Sequence, residues 1–157
     1  MNGPSFSISG RPIDYQKDAI TNGVAFWPDL NLGEFQKSRT LPVDLPAETA
    51  GIAVLAAIAE VNDTCASVVS YWTAKGHARA AEVPGAKMGD ETQLTAQYKK
   101  AVYARAKADL LGEFATIGRR ESHPGQESGE TRAILLAEAA FAMRNMLRLP
   151  RVGVHLI

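Results

Sequence analysis

Apolar residues recur at helical spacing along three long stretches of the chain, and the longest stretch runs from Pro46 to Lys75. Spacing of i, i+3, i+4, i+7 is typical of one apolar stripe on an amphipathic helix. The residues on this stripe are Val54, Leu55, Ile58, Val61, Cys65, Val68, Val69 and Trp72. Asp44 is the predicted N-cap, and Gly76 is the predicted stop signal. About thirty residues at ~1.5 Å each predict a rod of roughly 45 Å, which must pack against other helices.

Two further long helices are predicted, at Glu91–Ile117 and Glu130–Leu149. Asp90 is the expected N-cap of the first, and Glu91 lies in its first turn, where the helix dipole favours an acidic side chain. This helix is rich in alanine, and because small residues allow helices to approach closely, we expect it to pack centrally. The last helix is apolar almost all round, so it either lies centrally or contacts both its own domain and a partner.

Two adjacent aromatic residues, Phe26 and Trp27, precede a Pro-Asp turn. Because the residue before a proline is restricted to extended conformations, both are expected on extended backbone. They either fill the core from a loop or contact a neighbouring subunit. Asp29 or Asn31 is then expected to cap a short helix at Leu32–Arg39.

The two ends of the chain show no helical period. Residues 1–25 contain scattered Gly and Pro and predict an extended arm, with one short strand near Ser5–Ser9 or Ile13–Tyr15; disorder is the alternative. Residues 150–157 alternate like a strand and end on two hydrophobic residues, which suggests that they fill an edge or groove; folding back on their own domain is the alternative. The predicted fold is all-α: a helical bundle of three long helices plus one short N-terminal helix (26–149), with an extended arm and a strand-like tail.

Charge and composition narrow the classes of function. The net charge is zero, with −3 over residues 1–75 and +3 over residues 76–157. This weak polarity would suit head-to-tail packing of identical subunits, and it is far from the clustered basic face of nucleic-acid-binding proteins. No apolar run approaches the ~20 residues of a membrane span, and the N-terminus lacks the pattern of a secretory signal. We therefore expect a cytoplasmic protein with no membrane partner.

No cluster of residues predicts catalysis. His77, His123 and His155 lack the spacing of a metal site, and the only cysteine, Cys65, can form neither an intramolecular disulfide nor a structural zinc site. Phosphate-binding glycine motifs and the GxSxG motif are absent. We therefore expect no cofactor, no metal and no enzymatic activity.

Three arginines stand out in the second half of the chain. Arg105 lies within the apolar span of the predicted third helix, so it either snorkels to the surface or pairs with a carboxylate on a neighbouring helix or subunit. Arg119 and Arg120 form a pair in a predicted loop, where they either contact phosphate or only add surface charge.

An ordered set of short motifs, over about residues 24–157, resembles a known family. The motifs are Phe26-Trp27-Pro28-Asp29, Ala57-Ile58, Val61-Asn62, Tyr71-Trp72, Tyr98-x-x-Ala101-Val102-Tyr103-x-x-Ala106-x-Ala108-x-Leu110, Met143-Arg144-x-Met146-Leu147 and Arg151-Val152-x-Val154-x-Leu156-Ile157. In this order they resemble the head completion protein of P2-like tailed bacteriophages.

The resemblance implies a virion structural protein, a head–tail connector adaptor that is added to the portal protein after DNA packaging. Such adaptors form a ring of neighbouring copies, typically twelve, that lengthens the channel for packaged DNA. The ring offers a platform for the next neck or tail-completion protein. The expected location is the neck of the virion, between head and tail, reached from the host cytoplasm during assembly.

The resemblance also assigns roles to residues. The portal-binding candidates are Arg148, Arg151, Val152, Val154, His155, Leu156 and Ile157. The intersubunit candidates are Phe26, Trp27, Arg105, Phe141 and Met146, with further packing expected from the alanine-rich helix. Arg119 and Arg120 are candidates to face the lumen and its DNA. The alternative is a small helical DNA-binding or packaging-associated protein, which the scattered basic pairs and zero net charge disfavour.

Overall fold

The computed structural model of the protein describes residues 18–118 and 131–149, and these residues are mostly helical. The elements in chain order are β1 (Ala19–Ile20), β2 (Leu30–Asn31), α1 (Leu32–Arg39), α2 (Ala47–Thr64), α3 (Ala66–Ala74), a 3₁₀ turn (Ala80–Glu82), β3 (Lys87–Met88), β4 (Glu91–Thr92), α4 (Gln93–Gly118) and α5 (Arg132–Met146). The predicted helical class is therefore confirmed, whereas the two small β-ribbons were not predicted. The strand-like tail lies outside the described residues.

The segment that leads into α1 is tied to the helical body. Strand β1 pairs antiparallel with β2, with Ala19 opposite Asn31 and Ile20 opposite Leu30. The described end of the predicted arm, residues 18–25, thus packs on the body. Helix α1 has the predicted bounds, and of the two predicted caps Asn31 is the one used, since its Oδ1 accepts the N–H of Glu34 at 3.1 Å.

The predicted long rod is wrong, because two helices, α2 and α3, meet at Cys65 with a bend of 57°. The turn before the bend, Asn62–Thr64, consists of residues with low helix propensity. Among the described residues, no single helix is long and apolar enough to span a membrane; only the bent pair, taken together, meets that requirement of length and composition.

Of the two caps predicted for the bent pair, the N-cap of α2 is wrong and the stop after α3 is confirmed. Asp44 is not the cap of α2, since Pro46 occupies the N-cap position and makes no side-chain hydrogen bond there. The stop at Gly76 is confirmed. Gly76 has a left-handed backbone with φ of +92°. The N–H of Gly76 donates to the carbonyl of Thr73, and the N–H of His77 donates to the carbonyl of Trp72. This pair of bonds is a Schellman motif.

Helix α4 begins with a pair of threonines rather than with Asp90. The Oγ1 of Thr92 accepts the N–H of Thr95 at 3.1 Å, and the Oγ1 of Thr95 accepts the N–H of Thr92 at 2.9 Å. This is a capping box with threonine in the place of the usual Glu or Gln. The Thr92 hydroxyl also donates to the carbonyl of Ala80 at 3.0 Å, so the cap ties α4 to the 3₁₀ turn. Glu91 consequently precedes the helix and lies in β4.

Helix α4 packs against both α2 and α5, as the prediction of a central helix required. Four of its alanines are buried, namely Ala101, Ala104, Ala106 and Ala108. Ala104 and Ala108 contact Leu135 and Ala139 of α5 in a buried cluster. The alanine surface is therefore used within the chain and is not left for a neighbouring subunit, which corrects the expectation of intersubunit packing there. Helix α5 is shorter than predicted and is capped by Thr131, whose Oγ1 accepts the N–H of Ile134 at 3.2 Å.

The cap of α4 gives a stability prediction. Replacing Thr92 by Val keeps the buried shape but removes the hydroxyl, leaving the Ala80 carbonyl and the Thr95 N–H without their partner. We expect the free energy of unfolding to fall by about 2 kcal/mol in urea titrations. The matched control is Thr73→Val at an exposed position of α3, where the change should stay within about 0.5 kcal/mol. Equal stability of the two variants would contradict this role of the cap.

Candidate interaction surfaces

A buried network of amides and one phenol fixes the loop that carries the two aromatic residues. Asn22 donates through Nδ2 to the Tyr98 hydroxyl at 2.6 Å and to the Pro28 carbonyl at 3.1 Å. The Tyr98 hydroxyl donates to Oδ1 of Asn62 at 2.7 Å, and Asn62 returns a bond from Nδ2 to Oδ1 of Asn22 at 3.0 Å. Burial raises the pKa of the Tyr98 phenol far above its usual value. The network therefore holds structure together at neutral pH and supplies no base.

Phe26 and Trp27, predicted as intersubunit candidates, lie inside the chain's own core. Trp27 stacks on the Tyr98 ring, with ring centroids 4.4 Å apart. Phe26 contacts the Trp27 ring edge-on, with ring centroids 4.9 Å apart. Both side chains are at most 4% exposed. Met146 is buried in the same core. Because so little of their surface is exposed, these three side chains cannot form a substantial contact with a neighbouring copy. Of the two arrangements expected for Phe26 and Trp27, filling the core from a loop is the one observed.

Arg105 is paired within the chain. Its Nε lies 2.7 Å from Oε2 of Glu60 on α2, and its Nη2 donates to Oε1 of the same carboxylate at 3.1 Å. Of the two expected arrangements, pairing with a carboxylate on a neighbouring helix is therefore the one observed. The guanidinium joins α4 to α2, so it is committed to the fold of the subunit.

A second charged cluster joins α1 to α4. Lys99 donates to Oε1 of Glu34 at 3.0 Å and to Oε2 of Glu91 at 2.9 Å, and the Tyr103 hydroxyl donates to Oε2 of Glu34 at 3.0 Å. Burial alone would lower the pKa of Lys99, but the two carboxylates outweigh it and raise that pKa. Arg39 similarly binds Glu138 of α5, with 2.7 Å between Nη2 and Oε1, which lowers the pKa of Glu138. Within each of these ion pairs, the charge of the cation is offset by the charge of its carboxylate.

The outer side of α5 carries the exposed part of its apolar surface. Ile134 and Phe141 are each 53% exposed, and Ala137 lies between them at helical spacing. Together with Gln97 and Lys100 of α4 they line a groove of about 420 Å³, named here the α5 groove. Phe141 is thus the predicted intersubunit candidate that remains at the surface.

The outer side of α2 carries a second exposed apolar surface. It consists of Ile52, Leu55, Ala56 and Ala59, named here the α2 outer face. Ile52 is 69% exposed and Leu55 is 56% exposed, so the assignment of Leu55 to the buried stripe is wrong. The buried stripe instead runs through alanines 50, 53 and 57 with Val54, Ile58 and Val61. Alanine at these positions lets α2 approach α4 closely, which a search for large apolar residues overlooks.

Arg148, a portal-binding candidate, lies at the point where the chain leaves α5. Its backbone is left-handed, with φ of +57°, and its guanidinium carbon lies 3.2 Å from the centre of the Tyr71 ring of α3. Lys75 also approaches that ring, with Nζ 4.4 Å from the centre. Hydrogen bonding to Lys75 and the charge of Arg148 lower the pKa of the Tyr71 phenol. We call Tyr71, Lys75 and Arg148 the cation–aromatic cluster.

Several predicted residues lie outside the described part of the chain. They are Arg119, Arg120, Arg151, Val152, Val154, His155, Leu156 and Ile157. Within residues 18–118 and 131–149, no group of His, Cys, Asp and Glu has an arrangement that could hold a metal ion. Cys65 is fully buried there, and burial raises the pKa of its thiol to about 11. It is consequently a poor nucleophile at neutral pH.

Taken together, the described residues form a small helical domain with a tightly paired interior and exposed apolar faces. Such faces on an otherwise well-packed domain are typical of proteins that assemble with other proteins. The fold and its surfaces therefore indicate the class of proteins that act as components of larger protein assemblies.

Comparison with known proteins identifies the family. Residues 20–157 match the family model described as phage head completion protein (GPL). The chain is also 38% identical, over 150 residues, to the probable head completion/stabilization protein of Haemophilus phage HP1 (strain HP1c1), covering 96% of this chain and 99% of that relative. The chain belongs to the family of phage head completion proteins, which is a structural and not an enzyme family. No solved structure matches the chain significantly.

The buried phenols give a prediction on pH dependence. Tyr98 and Tyr103 have pKa values raised by burial, so the unfolded chain loses these protons at a lower pH than the folded chain does. Stability should begin to fall near pH 9, where the unfolded chain ionises Cys65 but the folded chain, in which burial raises the pKa of that thiol to about 11, does not. Above pH 10 each buried phenol adds a loss of about 1.4 kcal/mol per pH unit. Urea titrations from pH 8 to 11 will measure this slope.

The variant Tyr98→Phe separates the two effects. At neutral pH it should cost about 1–3 kcal/mol, because Asn22 and Asn62 lose a buried partner. Above pH 10 its stability should fall less steeply than that of the parent. Tyr71→Phe is the control: the pKa of Tyr71 is lowered in the folded chain, so this phenol adds stability as the pH rises toward 10 and causes no loss above it. Above pH 10 the slope of this variant should match the parent's. A parental slope in Tyr98→Phe would refute the assignment.

Proposed function

We propose that this head completion protein docks on the portal protein as a ring after DNA packaging and links the head to the neck and tail. Membership of the head completion family is the observation that carries the proposal. The protein would act as a binding module in the virion neck, between the portal and the next neck or tail-completion protein. Copies made in the host cytoplasm would join particles whose DNA is already packaged.

The cation–aromatic cluster supports a portal-binding role for the C-terminal tail. Arg148 is held on the Tyr71 ring at the end of α5, and a left-handed residue at this point turns the chain away from the helix axis. The tail that follows has the sequence Arg151-Val152-Gly153-Val154-His155-Leu156-Ile157. With its alternating apolar residues, such a segment suits addition to a groove or sheet edge of another protein. An anchored starting point reduces the entropy lost when the tail binds.

The pairing of basic side chains disfavours the DNA-binding alternative. Three cations of the described helices face carboxylates of the same chain: Arg39 with Glu138, Lys99 with Glu34 and Glu91, and Arg105 with Glu60. Phosphate binding depends on cations that can release counterions to solvent. In the proposed ring, contact with packaged DNA is left to Arg119 and Arg120, which keep their role as lumen-facing candidates.

Deletion of Arg151–Ile157 tests the portal-docking role. We expect the helical content by circular dichroism and the urea midpoint to be unchanged. Incorporation into phage particles and binding to purified portal should fall by about tenfold or more, as for loss of an interface hot spot. A chain carrying Val43→Ser, at an exposed residue of the α1–α2 loop, is the control and should be incorporated normally. A truncated chain that still enters particles would refute tail docking.

The anchor itself is tested at Tyr71. Tyr71→Leu removes the aromatic ring under Arg148 and should cause a partial loss of portal binding, smaller than that of the tail deletion. Tyr71→Phe keeps the ring and should bind like the parent. Binding of the two variants to purified portal can be compared by surface plasmon resonance. Equal binding by Leu and Phe would show that the cation–aromatic contact does not orient the tail.

A further inference from the structure

Two exposed apolar faces lie on helices that pack against different sides of α4. Helix α5 meets α4 at Ala104 and Ala108, whereas α2 meets it at Tyr98 and Arg105. The α2 outer face and the α5 groove are therefore separate surfaces of one subunit. Each presents large apolar side chains at helical spacing, as a helix does when it packs on another helix. Single exposed hydrophobic residues need no explanation, but contiguous rows of them do.

The two faces have complementary shapes. On the α2 outer face, Ile52 and Leu55 project from a surface that is otherwise alanine. The α5 groove is lined by the small Ala137 together with the larger Ile134 and Phe141, and we infer that the depression lies over Ala137. A branched side chain of four carbons fits between larger neighbours in the way that a knob fits a hole. One face thus provides the projection and the other the depression.

The two faces also differ in charge. Helix α2 contains Glu48, Glu60 and Asp63 and no Lys or Arg, and Glu48 and Asp63 are exposed. The α5 groove is bordered by Lys100, and its one acidic residue, Glu138, is neutralised by Arg39. A contact between two copies of the same face would bring like charges together and weaken binding. A contact between the α2 outer face and the α5 groove brings opposite charges together instead.

We propose that the α2 outer face of one copy of this chain packs into the α5 groove of the next copy. The contact is heterologous, because each subunit contributes one face to each of its two neighbours, and a heterologous contact that closes by rotation forms a ring. This inference rests on the ring of the proposed function and names the surfaces that build it. The occupant of the α5 groove is a second copy of the chain, inserting Leu55 or Ile52 over Ala137.

Cysteine cross-linking in assembled particles tests the contact. A chain with both Leu55→Cys and Ala137→Cys places one thiol on each face, at positions that are exposed in the subunit. The native Cys65 is fully buried and adds no background. Particles assembled with this chain are oxidised, and their proteins are separated without reductant. The expected result is a ladder of multimers, since each chain can bond to two neighbours.

Matched variants determine the type of contact. Leu55→Cys alone and Ala137→Cys alone should each remain monomeric on the gel. A chain with Leu55→Cys and Met88→Cys, the latter 81% exposed and outside both faces, should also give no ladder. Dimers from either single variant would show that like faces meet and would overturn the proposal.

The experiment separates this inference from the proposed function. Particles that contain the double variant but give no ladder would overturn the α2–α5 contact and leave docking on the particle intact. Absence of even the parent chain from purified particles would instead contradict the proposed role in the virion. A ladder from the double variant alone supports both.

Discussion

The rest of the structure depends on the close packing of α4 against its neighbours. Alanines at its inner positions bring α5 close, while Tyr98 and Arg105 reach toward α2. Burying a helix this deeply requires every polar group on it to find a partner, because an unsatisfied buried group costs about 1–3 kcal/mol. Asn22 and Asn62 supply the partners of the Tyr98 hydroxyl, and Glu60 forms an ion pair with Arg105. They also fix the N-terminal loop and α2 in position around the central helix.

The same requirement accounts for the distribution of charge. Lys99 and Arg39 join elements far apart in sequence, and their carboxylate partners lie in the same subunit. Exposed ion pairs add little stability, and these link α1 to α5 through Arg39 and to α4 through Lys99. The subunit therefore uses much of its charge internally.

The sequence predicted those elements whose signals are local. The bounds of α1 follow from Asn31 as a cap, and the stop at Gly76 follows from its left-handed backbone, since both depend on adjacent residues only. The break at Cys65 could not be predicted from apolar spacing, because the stripe continues across it without Pro or Gly. The ribbon β1–β2 and the network around Tyr98 join residues distant in sequence, for which a pattern along the chain contains no signal.

The same limit applies to the exposed surfaces, because which helix face is buried depends on residues distant in sequence. A hydrophobic pattern identifies apolar residues but not which of two faces of a helix is buried. It therefore predicts Leu55 in the core, although alanines occupy that position. The error is informative, because a helix that buries alanine and exposes leucine and isoleucine gains less from its own fold than it could. Burial of a leucine side chain contributes about 1.5–3 kcal/mol. A chain that leaves this contribution unused in the isolated subunit has it available for assembly.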